Sequence, residues 1–164
     1  MSEAFERIRV QLIELLPRLR RFARNLTRHA EDADDLVQIA LERALTHCEQ
    51  WDSNSRLDSW MFGIIRHAWI DEVRSRRRRG PQLDVDEMSE TIADRQAVMD
   101  IEVMSVQTAM TQLPEEQRIA VSLVLVEGLS YKEAAQVMEI PIGTLTSRLA
   151  RGRETLQVLL GGKP

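Results

Sequence analysis

The chain holds a single cysteine, Cys48, among 164 residues, so no internal disulfide can form and a reducing cytoplasm is the expected setting. Aromatic residues make up only 4%. Val, Ile and Thr are too scattered to build a sheet, which leaves helix as the way to a core. No apolar run approaches the roughly 18 residues of a membrane span. The opening stretch, MSEAFERIRV, is charged and lacks an apolar signal core. The expectation is a soluble intracellular protein without membrane insertion. A P-loop and a G-x-G-x-x-G turn are also missing. His29, His47, His67 and Cys48 do not fall at a metal-ligand spacing, and Asp34 and Asp35 diverge by about 100° on a helix. We therefore expect no metal, no cofactor and no enzymatic activity, and Cys48 as a small packed side chain.

What is present is Leu, Ala, Arg and Glu in helical periodicity. Phe5, Ile8, Leu12, Leu15, Leu19, Phe22 and Leu26 form one stripe at steps of three and four, which Pro17 is expected to interrupt or restart. Ala33, Leu36, Val37, Ala40, Leu41, Ala44 and Leu45 form a second. After a polar loop, DSNSR at 52–56, Leu57, Trp60, Met61, Ile64, Ile65 and Ala68 mark a third, with Val73 at its margin. It runs into RSRRRR and stops at Gly80 and Pro81. The formal net charge of −4 is unevenly spread. Residues 1–80 carry 15 Arg/Lys against 13 Asp/Glu, residues 81–101 carry 1 against 6, and residues 102–164 carry 6 against 7. The middle stretch lacks an apolar face and is expected to be an acidic linker, spanning roughly 25 Å as a flexible chain. Beyond it, Ile101, Met104, Ala109 and Leu113 predict a helix ended by Pro114. Ile119, Ala120, Leu123 and Val124 predict another, ended by Gly128. The expected fold is all-α: two small helical domains, 1–80 and 102–164, joined by the linker 81–101.

The stretch YKEAAQVMEIPIGTLTSRLARGRE at 131–154 carries the most specific pattern. Ser130 and Glu133 have capping-box spacing, which starts a helix at Tyr131. Pro141 ends that helix and suits the start of the next, where Gly143 is expected to avoid side-chain bulk. Leu145, Leu149 and Leu156 anchor the second helix inward, leaving Thr146, Ser147, Arg148 and Arg151 outward. This is helix-turn-helix geometry, in which the second helix presents side chains to a major groove. Arginine reads guanine bidentately and hydroxyls contact bases or phosphates. An ordinary helical hairpin with a solvated face would show the same stripe.

This stretch resembles the last conserved region of bacterial sigma-70-type transcription initiation factors, above all the small extracytoplasmic-function (ECF) group. DADDLVQIALERAL at 32–45 and SWMFGIIRHAWIDEVRSRRRR at 59–79 are similar to the family's second conserved region. The resemblance implies a nonenzymatic subunit that binds core RNA polymerase and directs it to promoter DNA in a regulated stress or envelope response. An anti-sigma factor is the expected controlling partner. The amino-terminal domain would recognise and melt the −10 element, and the carboxy-terminal domain would read the −35 element as duplex.

Residue by residue, Asp34, Asp35, Leu36, Val37 and Gln38 match the family's core-binding signature, and Glu42 lies one turn further on. Two carboxylates near a helix start are also favourable dipole chemistry. For the −10 element the resemblance points to the loop Asp52, Ser53, Asn54, Ser55 and Arg56, to Arg66 and His67, and to Arg74, Arg76, Arg77, Arg78 and Arg79 as backbone cations. The family commonly has Asn where this chain has His67, which alters the expected base pocket. Trp60 reads as core. Trp69 stands between core and a base-stacking surface. For the −35 element the matching positions are Thr144, Thr146, Ser147, Arg148 and Arg151. Relatives often carry Lys or Arg where this chain has Thr146, so the preferred −35 sequence is expected to differ. The linker is expected to run near the RNA exit path, or to be a solvated spacer. Two other readings stay open: a sigma-like decoy that sequesters an anti-sigma factor, and a helix-turn-helix regulator whose first domain senses a ligand.

Overall fold

A computed structural model describes residues 3–80 and 102–161. The acidic linker expected at 81–101 lies outside the described residues. Helix α1 spans Glu3–Thr27 and α2 spans Ala30–Thr46. A single 3₁₀ turn, Cys48–Gln50, leads to α3, Leu57–Arg79. In the second half come α4, Glu102–Gln112, and α5, Glu115–Val121, the latter running on through a wider turn, Ser122–Val126. Helices α6, Tyr131–Met138, and α7, Ile142–Leu159, complete the set. Among the described residues there is no strand, as the composition predicts.

Pro17 neither interrupts nor restarts α1, contrary to the sequence expectation: it sits inside one continuous helix. Its ring removes one amide donor. Burial on both sides of it, at Ile8, Leu12, Leu19, Phe22 and Leu26, all at most 3% exposed, holds the helix together. The carbonyl deprived of that donor belongs to Ile13, a residue 61% exposed, where water is at hand.

The core of the first half forms where α1, α2 and α3 meet. Phe22 and Phe62 pack edge to face, with ring centroids 5.0 Å apart at 62°. Cys48 is buried in this core, a packed side chain as its setting in the sequence suggests. Trp60 is half-buried against it.

That core does not end with the first half. It continues into Ile119, Ala120 and Leu123 of the α5 segment, and into Ala134, Ala135, Val137 and Met138 of α6. Helix α1 packs on α5, and α3 packs on α6. Helix α6 turns four of its eight residues inward, and all four join this shared core. A smaller cluster, Met110, Leu113, Val121 and Leu149, joins α4, α5 and α7.

The helix-turn-helix forms as its sequence predicts. Ser130 Oγ accepts from the Glu133 amide at 3.1 Å, and Glu133 Oε1 accepts from the Ser130 amide at 2.9 Å. Both halves of the capping box are therefore present. Glu139 ends α6 in the left-handed region, φ 57°, and the Ile140 amide reaches back to the Ala135 carbonyl at 3.1 Å. Pro141 then precedes the first residue of α7 in extended conformation. Gly143 is not required for space, contrary to expectation: a side chain there would meet nothing within 4 Å. The tight position is Gly152, where α7 crosses α5.

Candidate polymerase and nucleic-acid interfaces

Helix α2 buries Ala33, Leu36, Val37, Ala40 and Ala44 and leaves Asp34, Asp35, Gln38 and Glu42 exposed. Of the expected core-binding residues, Leu36 and Val37 are each only 3% exposed. They seat the helix, and the four polar residues form the outer face. Between α2 and α3 runs a cleft of about 330 Å³ with Asp35, Gln38 and Glu42 on one side and Glu72 and Arg76 on the other. Ile39 and Trp69 contribute apolar lining. Ile39 belongs to this surface although it lies off the apolar stripe, so periodicity gives no sign of it.

The 52–56 loop is bonded to itself. Asp52 Oδ1 accepts from the Asn54 amide at 2.9 Å, and the Asp52 carbonyl accepts from the Ser55 hydroxyl at 2.6 Å. All five residues, Asp52 to Arg56, are exposed. Arg56 closes the loop by pairing with Asp58 at 2.6 Å, and its other amino group meets Glu133 of α6 at 3.3 Å. Hydrogen bonding to Asp58 strengthens the Arg56 guanidinium and raises its pKa. Burial works to raise the Asp58 pKa, but the Arg56 side chain and the Ser59 amide outweigh it and hold the carboxyl below its usual value. Further along α3, His67 Nε2 lies 3.1 Å from Glu139 Oε1, and Arg66 lies 3.8 Å from Glu139 Oε2.

The arginine run divides by helical phase. Arg76 points back into the protein: it pairs with Asp32 at 3.1 Å and Glu72 at 3.2 Å, and lies 5.9 Å over the Trp69 ring. In this arrangement the Arg76 side chain cross-links α2 and α3. Arg74, Arg77, Arg78 and Arg79 are exposed, with Arg79 donating to Ser75 Oγ at 2.7 Å. Trp69, open between two roles in the sequence, is 9% exposed, and its indole N–H donates to Glu115. It is a core residue rather than a free stacking surface.

On α7, Leu145 and Leu149 face inward, while Thr146, Ser147 and Arg151 are exposed and Thr144 is half-buried. The Thr146 and Ser147 hydroxyls donate to the Ile142 and Gly143 carbonyls at 2.9 and 3.1 Å. Their lone pairs remain open to an external donor. Arg148 is not freely outward: its side chain is 25% exposed and pairs with Glu116 of α5 at 3.3 Å. No described helix is long and apolar enough to cross a membrane.

Two family models match in the order of these surfaces. Sigma-70 region 2 matches residues 12–79, and Sigma-70 region 4 matches residues 104–156. The chain is 34% identical over 153 residues to the ECF RNA polymerase sigma factor EcfG of Rhodopseudomonas palustris, covering 93% of this chain and 84% of that one. It is 35% identical over 143 residues to the ECF RNA polymerase sigma factor SigM of Mycobacterium tuberculosis, covering 87% and 71%. Among solved structures it is similar to the sigma factor RpoE in its complex with the anti-sigma factor NepR from Bartonella quintana. That match has a TM-score of 0.76 and 29% identity over 93% of this chain and 95% of that one. With both conserved regions present and in order, the chain belongs to the ECF group of sigma-70-type RNA polymerase sigma factors.

Proposed function

We propose that this protein is a nonenzymatic initiation factor of the cytoplasm that binds core RNA polymerase and directs it to a restricted set of promoters. Residues 1–80 form the polymerase-binding and −10 unit, 81–101 the linker, and 102–164 the −35 unit. The observation that supports this best is two exposed cation-bearing faces on separate helices of a family member: Arg74, Arg77, Arg78 and Arg79 on α3, and Arg151 with Thr146 and Ser147 on α7. Strand opening needs backbone cations, since unstacking a base costs a few kcal/mol. Duplex reading needs side chains near a helix start, where Thr146 and Ser147 lie, with Arg151 one turn beyond Ser147. The polar face of α2, Asp34, Asp35, Gln38 and Glu42, is complementary to a basic polymerase surface.

Control by an anti-sigma protein fits the same reading, because the similar RpoE was solved bound to one. A decoy that engages only an anti-sigma factor has no need of either cationic face. The test is run-off transcription with core polymerase on a genomic promoter library. Discrete transcripts that depend on the added protein are expected. Failure to bind core polymerase in that reconstituted assay overturns the assignment.

A further inference from the structure

We propose that Glu116 is a positioning residue for Arg148. It holds the guanidinium at the edge of the groove-reading face of α7, so that Arg148 meets one −35 base pair in a fixed orientation, a role that rests on the −35 reading of that helix.

The geometry starts where α5 and α7 cross. Gly152 is buried there, and a Cβ on it would come within 2.7 Å of Val121 Cγ2 and 3.5 Å of the Gln117 Cβ and carbonyl oxygen. The two helices meet almost backbone to backbone, over the cluster of Met110, Leu113, Val121 and Leu149. Arg148 lies one turn before Gly152, and Glu116 directly precedes Gln117. A contact fixed at Gly152 therefore also fixes where Glu116 stands beside Arg148. Glu116 sits in the first turn of α5, where the helix dipole favours a carboxylate. Its neighbour Glu115 is engaged elsewhere, accepting from the Trp69 indole.

Helical phase puts Arg148 between two rows of α7. Leu145 and Gly152 lie one turn away on its inward side, and Thr144 and Arg151 one turn away on its outward side. Its side chain is 25% exposed, and Nη2 lies 3.3 Å from Glu116 Oε2. The other candidates on this helix are held differently. The Thr146 and Ser147 hydroxyls bond to carbonyls of α7 itself, and Arg151 is exposed. Arg148 is the one whose direction is set from another helix.

An ion pair this exposed adds little to stability, since Glu116 is 69% exposed. Its effect is on the freedom and the charge of a long side chain. An arginine already held loses less rotamer freedom when it docks. The planar fork has five N–H donors, so one carboxylate leaves donors for guanine O6 and N7. The same carboxylate offsets the positive charge and repels phosphate, which favours a base edge over the backbone.

The full-length protein with core polymerase tests this on promoters randomised across the −35 element. Arg148→Ala should lower discrimination at one or two adjacent base pairs by about tenfold or more. Glu116→Ala should lower it at the same pairs by roughly threefold to tenfold, and should have no further effect when combined with Arg148→Ala. Glu116→Gln, which keeps an acceptor oxygen, should fall between. Glu116→Ala should also steepen the salt dependence of promoter binding by up to about one unit, because the freed cation reaches phosphate. A purely structural role would weaken binding and discrimination together. Unchanged discrimination in Glu116→Ala, or the same loss with and without Arg148, overturns the positioning role and leaves the −35 reading standing. An Arg148→Ala protein that loses affinity evenly for all sequences also overturns it, as a phosphate contact. If neither these variants nor Arg151→Ala shifts preference at any −35 position, the −35 reading falls and the positioning role with it.

Discussion

A methyl group added at Gly152 would sit 2.7 Å from Val121 Cγ2, closer than packed carbons come. Valine is stiff about its first torsion, so it cannot swing aside cheaply. Gly152→Ala should therefore cost about 1–3 kcal/mol, as overpacked cores do. Thermal denaturation should show a lowered midpoint that Val121→Ala in the same chain partly restores. Nothing in the sequence marks this glycine, because a close approach between α5 and α7 is a property of their crossing. Gly143 looks the more constrained of the two on paper, beside a proline at a helix start, and is the freer in space. Arg118 is a charge that the sequence pattern does not single out. It is 3% exposed and donates to the Asn25 carbonyl near the end of α1 and to the Leu113 carbonyl. Burial pushes its guanidinium down to about 10, still charged at neutral pH.

Elements translate these residues into surfaces. The arginine end of α3 reads in sequence as one cationic block, yet helical phase splits it. Arg77→Ala removes an exposed charge, so the salt dependence of promoter binding by the polymerase complex should flatten by about one unit for one lost phosphate contact. Its unfolding midpoint should be unchanged. Arg76→Ala breaks the link to Asp32 and Glu72. It should lower stability by about 1 kcal/mol, discounted because the pair is partly solvated, with a smaller effect on the salt slope. The opposite pattern, a flat slope for Arg76→Ala alone, would reverse the division of the run. Both capping-box bonds and the inward leucines of α7 are legible in sequence because they depend on neighbours three and four positions away. The Arg148–Glu116 pair is not, since its partners lie on different helices.

Across the whole molecule, acid should destabilise the fold. Asp58 is held below its usual range chiefly by Arg56 against the opposing effect of burial. Glu133 is held low by the Ser130 amide, with Arg56 adding to it. A carboxyl depressed in the folded state contributes stability that is full above its unfolded value and lost as pH falls through the folded one. The folded protein should therefore keep this contribution in full at neutral pH and lose it below about pH 4. Thermal midpoints of wild type and Arg56→Ala should converge as the pH drops through that window; a constant gap would contradict the coupling. The amino-acid sequence alone determines the helices, their inward faces, the helix-turn-helix and the order of the two conserved regions, because periodicity and caps are written in short-range spacing. Only the tertiary structure decides that Pro17 is absorbed into α1, which arginines remain exposed, and that the two halves close on each other. Those outcomes depend on contacts such as Arg21 to Glu127, whose partners lie far apart in the chain. Short-range spacing carries no trace of such a meeting.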